Sequence, residues 1–362
     1  MINRMKILQV ITTLQTGGAE NLVSELVPLM NDETHQVDIL LFDGEETPFK
    51  KKLEDGGYHV ITIGKSNNVY DARLIFRLIP IIKRYDIVHT HNTACQFFVA
   101  IAKVISRAKC KLVTTEHSTE NKRRTIKWFK PIDKWMYRQY DKIISISEIA
   151  TNYLVKYIGY KYPVVTIPNG VNIAKFRNTE AHPEYRNIDD VIITMVAAFR
   201  VGKDQDTIIR ALTKLPENYK AWIIGDGIRK NEIESLIENL NLNGRVKLWG
   251  VRMDVPQLLK SSDVIVMSSR YEGLSLSSIE GMSVGKPFIA SDVKGLHQTT
   301  VDAGILFPYQ DVDALAKEIL HLMTDTDYYK MIADRCLKRA EDFDISKTVE
   351  GYRKVYDGLI YK

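Results

Sequence analysis

Apolar and polar positions along the chain follow two periods. Continuous short apolar runs (MKILQVITT, HQVDILLF, DIVHTH, CKLVTTEH and DKIISIS) read as strands buried on both faces. AENLVSELVPLM and the run over 74–83 carry apolar residues at helical spacing, and a long helix is predicted just before DKIISIS. Strand–helix alternation builds a parallel sheet covered by helices, with ligands at the carboxyl edge of its strands. The pattern then restarts. After VVTIPNGVN, a Pro-Asn-Gly turn, and a polar stretch over 177–190, five further strands are predicted in VIITMVAAF, YKAWIIGDG, RVKLWG, SDVIVMSS and KPFIAS. The expected class is α/β: two Rossmann-like, doubly wound domains over 1–168 and 169–346, facing a central cleft. An amphipathic helix over 347–362 has an apolar face to bury against either domain, the first among them.

Composition narrows the class. At 362 residues, 45% hydrophobic and 26% charged, the chain has the makeup of a soluble globular protein with room for two domains. No run of apolar residues is long enough to span a membrane, and the N-terminus lacks a signal-peptide pattern. Cys95, Cys110 and Cys336 are too widely spaced for a disulfide framework or a zinc motif, so the cytoplasm is the expected compartment. Charge is uneven: residues 1–168 hold 24 Lys+Arg against 17 Asp+Glu, whereas 169–362 hold 26 against 28. Most of the excess lies between Lys103 and Arg138, where 11 basic residues face 3 acidic ones. Within 121–142, Trp128, Phe129, Trp135, Met136 and Tyr137 are interleaved with Lys and Arg around Pro131, expected to interrupt a helix. Such a stretch is either a solvated helix face packed on its domain or a docking surface for an anionic membrane. Nothing points to nucleic acid.

Two nucleotide chemistries are poorly supported. Dinucleotide binding needs Gly-x-Gly-x-x-Gly after the first strand, and the first turn is instead QTGGAEN, while Gly225-Asp226-Gly227 lacks a third glycine. No P-loop is present. The stretch SSRYEGLSLSSIEGMSVGKP offers more. Glu272 ends a strand at its carboxyl edge, Gly273 permits a tight turn, and Leu276–Ser278 begin a helix whose free N–H groups form an anion site. Glu280, in about the first turn, can accept from both hydroxyls of a ribose diol. The same residues also admit a plain reading, with Glu280 complementing the helix dipole and Glu272 a solvated loop acid. Arg200 and Lys203 of FRVGK follow a strand and precede a helix, placed to meet a diphosphate, or else to stand as surface charges beside Asp204 and Asp206.

Taken in order, TGGAE, DIVHTHN, TTEHS, DKIISIS, IPNGVN, FRVGK, IIGDG, VKLWG, SDVIVMSSRYEGLSLSSIEGM, GKPFIASDVKG and GILFPYQDVDALA resemble the family-4-type retaining glycosyltransferases over nearly the whole chain. Glu272 and Glu280 match that family's paired glutamates. The resemblance implies a GT-B fold and transfer of a hexosyl unit from a nucleotide-diphosphate sugar to an acceptor hydroxyl, with retention, in polysaccharide, capsule or lipopolysaccharide assembly. It implies that Gly17 and Gly18 bring amides to the donor phosphates, that His117 lies beside the transferred sugar, and that Arg200 and Lys203 hold the leaving diphosphate. Glu280 would take the ribose and Glu272 the sugar hydroxyls. Leu274, Ser275 and Leu276 would line the pocket. The backbone of Trp249, Gly250, Val251 and Arg252 would read the base, with Gly225 in the donor-binding set. Three departures stand out: Ala198 where many relatives carry the arginine, Gly281 in place of alanine, and Gln298 in place of a loop acid.

His89 and His91 sit at a strand end expected to face the cleft, suited to acceptor contacts ahead of metal, for which no further ligand shows. Asp311 and Asp313 resemble a metal-binding Asp-x-Asp, but helix capping accounts for them. The expected co-substrate is a UDP-sugar ahead of a GDP-sugar, with no metal or other cofactor. The acceptor is a glycan or lipid-linked species, consistent with a peripheral position on the cytoplasmic membrane face. The competing readings are an epimerase or hydrolase on the same fold and a silent binding subunit of an assembly complex.

Overall fold

The computed structural model describes residues 4–15, 17–65, 68–117, 122–126 and 128–361, with the backbone alone at Lys122, Arg123 and Pro183. The chain divides into two units: Met1–Gly170 with Ile345–Lys362, and Val171–Asp344.

In the first unit, β1 (Met5–Ile11), β2 (His35–Leu41), β3 (Val60–Thr62), β4 (Ile87–Thr90), β5 (Lys111–Glu116), β6 (Lys142–Ser145) and β7 (Val164–Thr166) form one sheet in the order β3-β2-β1-β4-β5-β6-β7. Every ladder is parallel. The second unit repeats the plan with β8 (Val191–Val196), β9 (Tyr219–Ile224), β10 (Val246–Gly250), β11 (Val264–Met267), β12 (Phe288–Ser291) and β13 (Ile305–Phe307), ordered β10-β9-β8-β11-β12-β13. Its sixth strand was not expected. Ile305–Phe307 is only three residues long, too short to show a period. Continuous Ile, Val and Leu runs build both sheets because helices bury both faces; Ile7, Leu8 and Val10, like Val264 and Val266, are fully buried.

In each sheet the strand order reverses between the first strand and its neighbour across the crossover: β1 beside β4, and β8 beside β11. That reversal leaves a crevice at the carboxyl edge, the general ligand position of such sheets.

The helix Ile345–Ile360 returns to the first unit and buries Ile345, Thr348, Val349, Tyr352 and Tyr356, one stripe at helical spacing. Ahead of β6, the expected long helix is instead a 3₁₀ turn, Lys122–Thr125, and a nine-residue helix, Phe129–Tyr137. Pro131 does not interrupt that helix. It lies in the first turn, where its missing N–H has no intrahelical partner to lose.

Candidate active site

The second unit gathers its charged groups at the β8/β11 reversal. The loop after β8 carries Arg200 and Lys203, and the loop after β11 carries Glu272. The two loops are joined by a backbone hydrogen bond from Arg270 N–H to Gly202 O (2.7 Å). Lys203 Nζ reaches Glu272 Oε1 at 2.5 Å, and Ser269 Oγ donates to the same oxygen at 2.9 Å. Glu272 is therefore not a solvated loop acid: its side chain is only 10% exposed and holds the ammonium in place. Arg200 is exposed and has no side-chain partner among the described residues.

Beyond Glu272, Leu274 is half-buried and Ser275 caps the helix Leu276–Ser283, its Oγ accepting from Ser278 N–H at 3.3 Å. The N–H groups of the first turn complete an anion-binding start. Glu280 falls in the second turn rather than the first and is buried, at 8% exposure. Gly273 lies in the tight turn, and Gly295, after β12, abuts it: a Cβ at Gly295 would run into the carbonyl oxygens of Glu272 and Gly273. Sequence reasoning did not single out Gly295. Its cue was the glycine that closes the loop following a buried strand.

The base-side segment lies at the neighbouring strand ends. Gly225 (φ +138°) donates its N–H to Gly250 O at 2.9 Å, bringing the loops after β9 and β10 together. A Cβ on Gly225 would strike the Ala197 carbonyl, so only glycine fits. Val251 is exposed and Gly250 adopts φ +65°. The side chains of Trp249 and Arg252 pack locally. Trp249 lies against Tyr185 and Trp222 with the Lys247 ammonium 3.6 Å from its ring centre. Arg252 is gripped by Asp254 through Nε (2.7 Å) and Nη2 (2.5 Å). That guanidinium, with Tyr185 OH, holds the Asp254 carboxyl well below the usual range.

In the first unit, Gly17, in the loop after β1, is the N-cap of the helix Gly18–Met30, and the Glu20 carboxylate lies where a Cβ on Gly17 would be; Thr16 of the TGGAE motif lies outside the described residues. His117 follows β5 and is half-buried; desolvation takes its imidazole down to about 4. His89 and His91 do not face an open edge as expected. They are 0% and 3% exposed, and each ring uses both nitrogens in hydrogen bonds. Burial keeps both far below the ordinary histidine value, hence neutral. Gln9, a polar residue in the middle of an apolar strand, joins them and was missed.

Asp311 caps the helix Val312–Thr324, accepting from Ala314 N–H at 2.9 Å, while Asp313 pairs with Lys214 at 3.1 Å. In the basic stretch, Arg124 is not surface charge. Its Nη2 bonds Glu116 Oε2 at 2.7 Å, and its side chain is 10% exposed. Asn121 and Lys127, and the side chains of Lys122 and Arg123, lie outside what the structure describes.

Comparison with known proteins places these sites in a family. The model of glycosyl transferases group 1 matches residues 177–339, and that of Glycosyltransferase Family 4 matches residues 16–175. A UDP-Gal:alpha-D-GlcNAc-diphosphoundecaprenol alpha-1,3-galactosyltransferase of Escherichia coli is 26% identical over 99% of this chain and 98% of its own length. An N-acetyl-alpha-D-glucosaminyl L-malate synthase of Bacillus anthracis is 24% identical over 94% of this chain and 93% of its own. The fold is that of Anabaena Alr3699/HepE, solved in complex with UDP-glucose (TM-score 0.84, 22% identity, 98% of this chain and 100% of that one). The two matched halves are the two sheets described above, and the chain belongs to the group 1, family-4-type glycosyltransferases and has their GT-B fold.

Proposed function

We propose that the protein transfers a hexosyl unit from a UDP-sugar to an acceptor hydroxyl with retention of configuration, in the assembly of a cell-surface glycan or polysaccharide. The observation that carries this reading is the meeting of Lys203, Glu272, the Ser275-capped helix start and buried Glu280 at one strand-order reversal. A diphosphate needs cations and oriented N–H groups, a ribose diol needs a carboxylate acceptor, and sugar hydroxyls need a second one. Lys203 and Arg200 stabilise the charge that develops on the diphosphate as the sugar's C1–O bond breaks. The acceptor oxygen forms the new bond to C1, and its proton passes to a diphosphate oxygen. Glu280 holds the ribose, Glu272 the sugar hydroxyls, and the backbone of Trp249–Arg252 the base. Gly17, Gly18 and His117 supply the first unit's contacts. No metal is assigned a role.

A uridine donor is supported by the UDP-glucose bound in Alr3699/HepE and by the UDP-Gal named for the Escherichia coli relative. The same relative's diphosphoundecaprenol substrate supports a lipid-linked acceptor. So does the surface of Phe129–Tyr137 and its flank, where Trp128, Ile132 and Trp135 are 68%, 40% and 39% exposed and lie at helical spacing beside Lys130 and Arg138. The enzyme then works as a peripheral protein on an anionic membrane. The test is incubation with UDP-glucose, UDP-galactose, UDP-N-acetylglucosamine and GDP-mannose, with and without lipid-linked oligosaccharide. UDP release that rises with acceptor and gives an α-linked product is expected. A β-linked product contradicts retention, and an isomerised donor formed without acceptor indicates an epimerase.

A further inference from the structure

A chain of hydrogen bonds runs through the first unit from the C-terminal helix to His117. Gln9 Nε2 donates to Tyr356 OH (3.1 Å), and Tyr356 OH lies 2.6 Å from His89 Nδ1. His89 Nε2 meets Thr115 Oγ1 at 2.8 Å, and Thr115 meets Tyr352 OH at 3.0 Å. On the other side, Gln9 Oε1 meets His91 Nε2 at 2.7 Å, and His91 Nδ1 meets His117 Nε2 at 2.9 Å.

The directions of these bonds are not independent. The Gln9 carbonyl can only accept, so His91 carries its proton on Nε2 and its Nδ1 is a lone pair. His117 must then donate from Nε2–H, which leaves its own Nδ1 as a lone pair. That atom is buried and has no hydrogen-bond partner among the described residues. Tyr356 OH accepts from the Gln9 amide and gives its proton to His89 Nδ1; the shorter of its two contacts is the one expected for O–H donation. Reversing the Gln9 amide would reverse each bond and leave His117 protonated on Nδ1.

We propose that Tyr356 and Gln9 are positioning residues which, through His91, hold His117 in its Nε2–H tautomer, so that Nδ1 accepts a hydrogen bond from a substrate hydroxyl. This rests on the reading of His117 as a sugar contact; the tautomer itself does not. Burial keeps all three histidines neutral at ordinary pH, so a proton's position on each ring, and not its charge, is what the network sets. The polar groups are worth burying in an otherwise apolar sheet because a fully satisfied network admits few arrangements. It also ties the catalytic face to a helix distant in sequence, since Tyr356 is fully buried and packs on the same core as β1.

Long-range ¹H–¹⁵N NMR of the imidazoles in the full-length protein reads the tautomers directly. The wild type is expected to show His89, His91 and His117 each protonated on Nε2. A protonated Nδ1 on His117 overturns the proposal without any variant. In Tyr356→Phe the Gln9 amide loses its acceptor, so mixed tautomers at His91 and His117 are expected; Tyr352→Phe, at the far end beyond Thr115, should leave those two rings unchanged. Tautomers unmoved by Tyr356→Phe overturn the relay. Tyr356→Phe should also slow UDP-glucose turnover about tenfold, the worth of one hydrogen bond to substrate, with UDP affinity unchanged. If His117→Ala leaves turnover intact while the tautomers are as stated, the sugar contact fails and the relay stands.

Discussion

The two sheets share one strand order and put opposite chemistry at the same place. At the β8/β11 reversal the side chains are ionic and partly open: Lys203 against Glu272, with Arg200 exposed. At the β1/β4 reversal they are neutral and closed: Gln9, His89 and His91, tied to Tyr356. Topology thus fixes where a ligand edge lies, while the loop and strand residues decide what it binds. Positive charge suits a diphosphate whose own negative charge grows as the sugar leaves; an orientated neutral network suits a sugar hydroxyl, where donor and acceptor positions matter and net charge does not.

The comparison breaks most visibly at Glu280. Glu280→Ala should lower turnover by about 10²–10³, the scale for losing one preorganised polar contact, and weaken UDP binding. An unchanged UDP affinity removes Glu280 from the ribose. Lys203→Ala is expected next, by about 10² in kcat with a smaller loss of donor affinity. Loss of affinity at full kcat would assign Lys203 to ground-state binding alone. Lys203→Arg sharpens this, because a planar guanidinium cannot reproduce a point charge held by Glu272.

Acid should separate the units by stability. His89, His91 and His117 lie below their ordinary value of 6.5 when folded, His117 at about 4, so the unfolded chain binds more protons below pH 6.5. Their contribution is intact above that pH and is lost progressively as pH falls, by up to about 1.4 kcal/mol per pH unit for each histidine kept neutral. Urea midpoints at pH 7.5 and 5.0 measure it, with Gln9→Leu as the comparison. A flat profile contradicts a buried neutral network.

Smaller effects test the periphery. Lys130/Arg138→Ala should weaken flotation with anionic vesicles by about 1 kcal/mol per residue, and neutral vesicles should bind little in either case. Equal binding to both lipids makes the stretch a solvated face. EDTA is expected to leave UDP-sugar turnover unchanged; loss restored by magnesium or manganese overturns the assignment of the diphosphate's charge to Lys203, Arg200 and the helix start.

Much of this was legible in the sequence because it is local. Buried parallel strands announce themselves as unbroken apolar runs, and the stretch from Glu272 to Glu280 encodes turn, cap and helix within nine consecutive positions, though the strand before it ends at Met267 and not at Glu272 as expected. What could not be read depends on distance along the chain. Nothing local says that Lys203 is held by Glu272, that Arg252 stacks near Trp249 while bonding Asp254, or that Tyr356 reaches Gln9 across 347 positions. The His-Thr-His run looked like an open edge because alternation shows which residues share a face, and only packing shows what covers it: here, the returning C-terminal helix. Arg124 counted as surface charge for the same reason, its partner Glu116 lying in the preceding strand.

Calorimetric titration of UDP, which carries the diphosphate and base but no sugar, into wild type and single variants tests the division most directly. Lys203→Ala and Glu280→Ala should each weaken UDP at least about tenfold, about 1.4 kcal/mol, whereas His117→Ala and Tyr356→Phe should bind UDP as the wild type does. UDP affinity that falls in the two first-unit variants and survives in the two second-unit variants would contradict the assignment of the nucleotide to Lys203 and Glu280 and of a sugar contact to His117.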